Sequence, residues 1–179
     1  MSDDARSAVL DMLFDETAIA RRVEGLAEEI AAVLPGEFLL LGVLNGAFVF
    51  VADLARAMAR RGARPRVEFV TLKSYGDATR SSGVVKSVGA LPEGLKGMPV
   101  LVVDDVLDSG RTAAFVRRTL EEAGAGPVWL CVLLDKPSRR EVPGTADFVG
   151  FTIADRFVVG YGIDYAGRYR ELPWVAALD

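Results

Sequence analysis

The feature that most constrains this fold is a set of short, unbroken apolar runs separated by amphipathic segments. Residues 38–44, 99–103 and 127–134 are almost entirely apolar, as expected of strands that are buried on both faces of a parallel sheet. Apolar residues at helical spacing alternate with these runs. They predict three helices, over residues 16–34, 47–60 and 112–124. This alternation predicts an α/β fold, with a central, mostly parallel sheet covered by helices on both faces.

The remaining strand signals lie on either side of a polar stretch. RVEFVTLK at 66–73 and VVKSV at 84–88 are predicted strands, and the polar residues 74–83 between them are predicted to form a loop. ADFVGF at 146–151 and FVVGYGI at 157–163 predict two shorter strands. Ligands of open parallel sheets bind at the carboxyl ends of strands. The residues just after each strand are therefore the candidates for chemistry.

Composition removes several classes of function. The 179 residues correspond to one domain. Without histidine, the chain cannot hold a Ser-His-Asp triad or a histidine metal site, and its single cysteine excludes a disulfide framework. The formal net charge of −4 gives no general support for nucleic-acid binding. No apolar run reaches the roughly 20 residues of a membrane span, and the start of the chain has no signal-peptide pattern. A cytoplasmic protein without nucleic-acid or membrane partners is predicted.

The strongest chemical signal is VLVVDDVLDSGRT at 100–112. An apolar strand leads into Asp104 and Asp105, Asp108 follows, and SGRT turns into a helix. The free amides and partial positive charge of a helix N-terminus bind phosphate, and carboxylates beside such a pocket suit ribose hydroxyls or Mg²⁺. The alternative is that Asp104 and Asp105 only end the strand and that Asp108 caps the helix.

Three other phosphate-binding patterns fit less well. A Walker A loop requires GxxxxGK[ST], and only GRT is present. A dinucleotide fingerprint requires GxGxxG, and Gly160-Tyr161-Gly162 is not followed by a third glycine. A phosphoacceptor receiver domain can begin with a VLVVDD strand, but too few residues follow Asp104 to complete one.

The segment 100–112 resembles the phosphoribosyl pyrophosphate (PRPP) binding motif of type I phosphoribosyltransferases. More specifically, the chain resembles the hypoxanthine-guanine phosphoribosyltransferases. Four further stretches carry this resemblance: LLGVLNGAFVFVADL at 40–54, LKSYGDATRSSGVVKS at 72–87, LLDKPSRREV at 133–142 and ADFVGFTIADRFVVGYGIDYAGRYRELPWV at 146–175.

The resemblance implies both a fold and an activity. The fold is type I phosphoribosyltransferase-like: a single domain over 1–179, with a core over about 38–160, a small hood from the N- and C-terminal segments, and a mobile loop. The activity is purine salvage, the Mg²⁺-dependent transfer of phosphoribosyl from PRPP to N9 of hypoxanthine, and of guanine, with release of pyrophosphate.

The resemblance also gives roles to the residues of the DDVLDSGRT segment. Asp104 and Asp105 would hold the ribose hydroxyls and Mg²⁺. The family usually has Glu at the first of these positions, so the shorter Asp104 could reach the hydroxyl through water. Asp108 matches the carboxylate near purine N7 that acts as general acid and base. Four consecutive residues match the 5′-phosphate loop: Ser109, Gly110, Arg111 and Thr112.

A second group of matched residues would bind the purine and the pyrophosphate. Lys136 matches the lysine that donates to O6, and an ammonium group, which has donors only, would favour a 6-oxo over a 6-amino group. A solvated surface lysine is the alternative. Phe157 matches the aromatic residue that stacks on the purine, with core packing as the alternative. Backbone groups around Val158 and Asp164 would read the base edge, Asp164 also matches a Mg²⁺ ligand, and Arg170 matches a pyrophosphate contact.

Of two further segments, one would contact the leaving pyrophosphate and the other would form a lid over the site. Asn45-Gly46 matches the loop whose backbone contacts pyrophosphate; some members have Lys where Asn45 stands, so a side-chain charge is missing here. A cis or strained peptide at 45–46 is a hypothesis from the resemblance. Ser74 and Tyr75 begin the polar stretch that corresponds to the mobile loop, a lid that would exclude water.

Other functions on the same fold stay open. The sequence does not rank hypoxanthine, guanine and xanthine, so a xanthine-preferring phosphoribosyltransferase is one alternative. A uracil-type, RNA-binding regulator is the other; it has a similar DDV..TGRT loop but lacks the LLDKPSRRE and FVVGYGIDY segments. Adenine- and orotate-type motifs have no acid at the position of Asp108. Family members usually form dimers or tetramers, so a homodimer or homotetramer is predicted.

Overall fold

A six-stranded sheet forms the centre of the chain. The computed structural model describes residues 10–34, 36–77, 80–87 and 90–178, without the side chains of 73–77 and 80–87. The strand order is β4 (Arg80–Ser87), β3 (Arg66–Asp77), β2 (Leu39–Leu44), β5 (Val100–Leu107), β6 (Val128–Asp135) and β7 (Phe148–Thr152). Five strands are parallel, and β4 runs antiparallel to β3. The predicted α/β fold with a mostly parallel sheet is confirmed.

Helices cover both faces of this sheet, and the strands are buried on both sides as a result. Helices α1 (Glu16–Val33) and α2 (Phe48–Arg60) pack with one set of strand residues, and α3 (Arg111–Glu122) packs with the other. Along β2, Leu40 faces the first cluster while Leu39 faces the second. This double burial is the physical reason for the unbroken apolar runs. Among the described residues, no helix is both long and apolar enough to cross a membrane.

A second, smaller sheet joins the two ends of the described chain. Its antiparallel order is β1 (Leu10–Phe14), β9 (Val175–Leu178) and β8 (Val158–Val159). Neither β1 nor β9 was predicted, because each is short and gains its pairing only from a distant segment. The predicted strand 157–163 ends after two residues, since positive φ angles at Gly160 (97°) and Gly162 (98°) turn the backbone away.

The predicted loop over 74–83 is wrong for the residues that the structure describes. Strand β3 continues to Asp77, and β4 begins at Arg80 and pairs with it, Ser74 opposite Val85 and Tyr75 opposite Val84. A two-stranded ribbon satisfies its backbone hydrogen bonds internally. It therefore needs no apolar pattern, which is the signal that sequence reasoning uses for strands. The side chains of Ser74 and Tyr75 lie outside the described part, so their role in a lid stays a prediction.

Candidate active site

The two adjacent carboxylates lie inside strand β5 rather than after it. The strand extends to Leu107, four residues beyond its predicted end. The backbone N–H of Asp105 donates to Asp104 Oδ1 at 2.9 Å, and that of Val106 donates to Asp105 Oδ1 at 2.8 Å. Asp104 is only 9% exposed. Burial, and then the neighbouring charge of Asp105, raise the pKa of Asp104 well above its usual range. This wall of the site therefore favours a bound cation or a hydroxyl donor.

Glycine stands at the N-cap of helix α3, directly after the turn that follows β5. Gly110 has a φ of 84° and no side chain to cap the helix, and the Arg111 N–H makes only a long contact of 3.4 Å with Ser109 Oγ. A Cβ atom on Gly110 would lie 2.8 Å from the carbonyl oxygen of Val142, so a larger residue would clash with backbone. The backbone N–H of Val142 donates to the Ser109 carbonyl at 3.0 Å, so a separate segment of the chain holds the turn between β5 and α3 in place. A helix N-terminus with glycine at its N-cap suits a phosphate group.

Asp108 does not cap this helix, so the structural alternative for this residue is wrong. Its side chain is about half exposed, and Arg139 Nε donates to Asp108 Oδ1 at 3.2 Å. The guanidinium of Arg140 donates to the backbone carbonyl of Asp108 and also pairs with Asp135 at the end of β6. The carboxylate thus projects from a turn whose backbone is held by an arginine. Arg111, at the first position of α3, points elsewhere and donates to Glu141.

The loop after β2 packs directly against Asp105. The Leu44–Asn45 peptide is cis, so the hypothesis that placed a cis bond at 45–46 is wrong by one residue. A Cβ atom on Gly46 would lie 1.7 Å from Asp105 Oδ2, and one on Gly162 would lie 2.3 Å from the Gly46 carbonyl oxygen. Three separate segments therefore meet at van der Waals contact, and only glycine fits at two of the positions.

Asp164 and Arg170 form a fixed pair at the far side of this loop. Arg170 Nη2 lies 2.6 Å from Asp164 Oδ1, and the Gly167 N–H donates to Asp164 Oδ2 at 2.8 Å. Arg170 Nη1 also donates to the carbonyl of Gly162 at 2.6 Å. Both side chains are less than one third exposed. The arginine is therefore not a free surface residue, and it ties the acid to the glycine that contacts Gly46.

The residues expected to meet a base lie at the ends of β6 and β8. Lys136 is 8% exposed, and its Nζ donates to the carbonyl of Arg156 at 2.7 Å, so the solvated-lysine alternative is wrong. Phe157 is 52% exposed, which excludes core packing, and its ring meets Tyr165 edge-on at 5.4 Å. The side chain of Val158 is buried in β8, which leaves its backbone as the part that can meet a ligand.

One cavity of about 440 Å³ gathers many of these groups. It lies at the carboxyl ends of β2 and β5, where ligands of such sheets bind. Seven predicted site residues line it: Asn45, Gly46, Asp104, Asp105, Thr112, Asp164 and Arg170. Of the predicted residues whose side chains the structure describes, those outside its lining are Asp108, Ser109, Gly110, Arg111, Lys136, Phe157 and Val158. Sequence reasoning did not single out Gly162, which contacts Gly46 in the cavity wall. Its signal was the Gly160-Tyr161-Gly162 triplet, which was considered as a binding site only in the test for a dinucleotide fingerprint.

The carboxylates of the cavity suit a metal ion whose remaining ligands are water and substrate oxygens. Within the described ranges, no three acidic, thiol or imidazole side chains converge as a complete metal cage. Asp104, Asp105 and Asp164 do line the same cavity. The carboxylates of buried Asp104 and partly buried Asp105 repel each other, and a cation would relieve that repulsion. Mg²⁺ typically takes one or two carboxylates plus water and substrate phosphates. The donor set therefore fits Mg²⁺ bound together with a phosphorylated ligand.

This α/β fold and its cavity have the donors and acceptors that suit a phosphorylated, hydroxyl-bearing ligand. A family model described as "Phosphoribosyl transferase domain" matches residues 9–166. The chain therefore belongs to the phosphoribosyl transferase family.

Two curated relatives and one solved structure are similar over almost the whole chain. A hypoxanthine phosphoribosyltransferase of Salmonella typhimurium is 42% identical over 169 residues, 93% of each chain. A hypoxanthine-guanine phosphoribosyltransferase of Aquifex aeolicus is 42% identical over 98% of each chain. The crystal structure of a hypoxanthine-guanine phosphoribosyltransferase from Bacillus anthracis has a TM-score of 0.88 and 39% identity, and the match covers 94% of this chain and 98% of that one.

Proposed function

We propose that this chain is a purine-salvage enzyme that transfers phosphoribosyl from PRPP to N9 of hypoxanthine and of guanine. The products are IMP or GMP and pyrophosphate. The observation that carries the proposal is the 440 Å³ cavity, which brings together acidic, glycine and arginine residues from three distant segments. The names of the similar proteins support the choice of bases.

In this proposal PRPP extends from the cavity to the adjoining start of α3, and its charged groups meet the chain on three sides. The 5′-phosphate is bound by the amides of the Ser109–Thr112 turn at the start of α3. The ribose hydroxyls donate to Asp104 and Asp105 on β5. The pyrophosphate lies between the backbone of Asn45-Gly46 and the guanidinium of Arg170. Each group thereby meets a partner of suitable charge.

Mg²⁺ is the cofactor of this proposal. Asp104 and Asp105 would hold the ion together with substrate oxygens, and Asp164, which lines the same cavity, would be a further candidate ligand. When bound, the metal neutralises charge on the departing pyrophosphate.

The chain's own contribution to the reaction is to hold the reactants and accept a proton. The bond between C1′ and the pyrophosphate oxygen breaks with its electron pair, and positive charge develops on the ribose. The bond between C1′ and purine N9 forms, and the purine loses its proton. Asp108 accepts that proton near N7 as a general base. Arg139 Nε lies 3.2 Å from Asp108 Oδ1 and so orients the carboxylate before the purine arrives.

Base selection rests on Lys136 and Phe157. The Lys136 ammonium donates to the carbonyl of Arg156, the residue directly before the exposed Phe157, so the two side chains come from adjoining parts of the structure. The ammonium donates to O6 and has no acceptor for a 6-amino group. Phe157 stacks on the purine, and backbone groups around Val158 and Asp164 read the 2-position.

Three less central parts complete the proposal. The sheet of β1, β9 and β8 serves as the hood beside the base. The ribbon that contains Ser74 and Tyr75 closes over the reaction centre and excludes water. The chain assembles as a homodimer or homotetramer.

The test is a PRPP- and Mg²⁺-dependent turnover assay with five bases: hypoxanthine, guanine, xanthine, adenine and uracil. Turnover of hypoxanthine and guanine, with none of adenine or uracil, is expected. Preference for xanthine would correct the substrate. Uracil turnover, or PRPP binding without any turnover, would refute the proposal and favour the uracil-type regulator, whose RNA binding would then be measured.

A further inference from the structure

The segment Gly160-Tyr161-Gly162 holds three successive residues at positive φ, namely 97°, 50° and 98°. Tyrosine rarely adopts this conformation, because its Cβ atom crowds the backbone. Gly160 is also packed tightly, since a Cβ atom there would lie 2.1 Å from the carbonyl oxygen of Trp174. A conformation of this kind persists only where the surroundings impose it.

A hydrogen bond from Tyr161 supplies part of that restraint. The hydroxyl of Tyr161 donates to Asp53 Oδ2 on α2 at 2.6 Å. The tyrosine is 6% exposed, and burial together with this carboxylate raises its pKa well above the usual value, so it remains a donor. The other oxygen of Asp53 pairs with Arg56 one turn further along the helix. The carboxylate is thus held on both sides.

The same segment also contacts Asn45-Gly46, the loop that is proposed to bind pyrophosphate. Gly162 lies directly against the carbonyl oxygen of Gly46, and Gly46 lies against Asp105. Helix α2, which holds Asp53, begins at Phe48, two residues after Gly46. The hydrogen bond between Tyr161 and Asp53 therefore links the two segments that meet at the Gly46 carbonyl.

We propose that Tyr161 and Asp53 are positioning residues, which hold Gly162 against the Gly46 carbonyl and so fix the backbone that binds pyrophosphate. The inference rests on the proposed function of that loop. Neither side chain lines the 440 Å³ cavity, although both line a larger one of about 980 Å³, so they act on the pyrophosphate loop through Gly162. Without the bond, the loop samples more orientations, and pyrophosphate binding must reorder it.

The test compares Tyr161→Phe with the wild-type chain by titration calorimetry with Mg²⁺ and inorganic pyrophosphate, and by steady-state kinetics. We expect the Kd for pyrophosphate and the KM for PRPP to rise about tenfold. The KM for hypoxanthine should stay within about twofold. Because Asp53 is about one third exposed, water can replace the lost donor, and the melting temperature should change little.

Matched variants separate this effect from general destabilisation. Asp53→Ala should reproduce the loss, whereas Asp53→Asn retains an oxygen acceptor and should restore most of the affinity. Arg56→Ala removes the ion pair but not the tyrosine hydrogen bond, and should behave as wild type. Unchanged pyrophosphate affinity in Tyr161→Phe, or equal losses for PRPP and hypoxanthine, would refute the positioning role. Absence of turnover in the wild-type chain would instead refute the proposed function.

Discussion

Gly46→Ala is expected to damage both folding and PRPP use, by an amount that follows from one distance. The new Cβ atom would lie 1.7 Å from Asp105 Oδ2 and 2.6 Å from its Cγ, whereas ordinary contacts begin at 3.4 Å. The carboxylate must therefore move by about 1.7 Å. That movement breaks the 2.8 Å hydrogen bond from the Val106 N–H. We expect a loss of about 1–3 kcal/mol in the free energy of unfolding. A displacement of this size should lower kcat/KM for PRPP about 100-fold.

Urea unfolding and steady-state kinetics measure the two effects. Gly36→Ala is the matched control, because a Cβ atom there meets nothing within 4 Å, and it should leave both quantities unchanged. In an Asp105→Ala background, the obstructing carboxylate is absent, so adding Gly46→Ala should cost almost no stability. Wild-type kcat/KM in Gly46→Ala, or an equal stability loss with and without the Asp105 carboxylate, would refute this steric reasoning.

Three further predictions concern the charged groups of the site. Asp108→Asn should lower kcat about 10²–10⁴-fold with little change in the KM for PRPP; undiminished kcat would contradict its role as a base. Lys136→Met should abolish the preference for hypoxanthine over adenine in paired kcat/KM measurements, because the donor to O6 is lost; an unchanged ratio would show that other groups select the base. Asp104→Asn should raise the melting temperature of the metal-free chain near pH 7.5, measured with a chelator present. The pKa of Asp104 is raised on folding, so the folded chain retains a proton that the unfolded chain releases above about pH 4. The free energy of unfolding therefore falls as the pH rises from about 4 toward the pKa of Asp104 in the folded chain. A wild-type chain with the same pH dependence as the variant would contradict this shift.

The central sheet and its helices could be predicted because their signals are local. Each buried strand is apolar along its length, and each helix repeats apolar residues at helical spacing, so a short window contains the information. Asp15 illustrates this point, since it directly precedes the helical pattern and caps α1 by accepting from the Ala18 N–H at 2.7 Å. The small sheet escaped prediction because β1 and β9 are paired across nearly the whole length of the chain.

The residue types of the candidate site were determined by the sequence itself: two adjacent carboxylates on an apolar strand, a glycine turn into a helix, and a lysine after the next strand. Only the tertiary structure decided which of them share a cavity, and that Lys136 is buried while Phe157 is half exposed. Burial and contact depend on segments far apart in the chain, as in the meeting of Gly46 with Asp105 and Gly162. No local pattern encodes such a contact, because each partner's position is set by the packing of a different strand or helix.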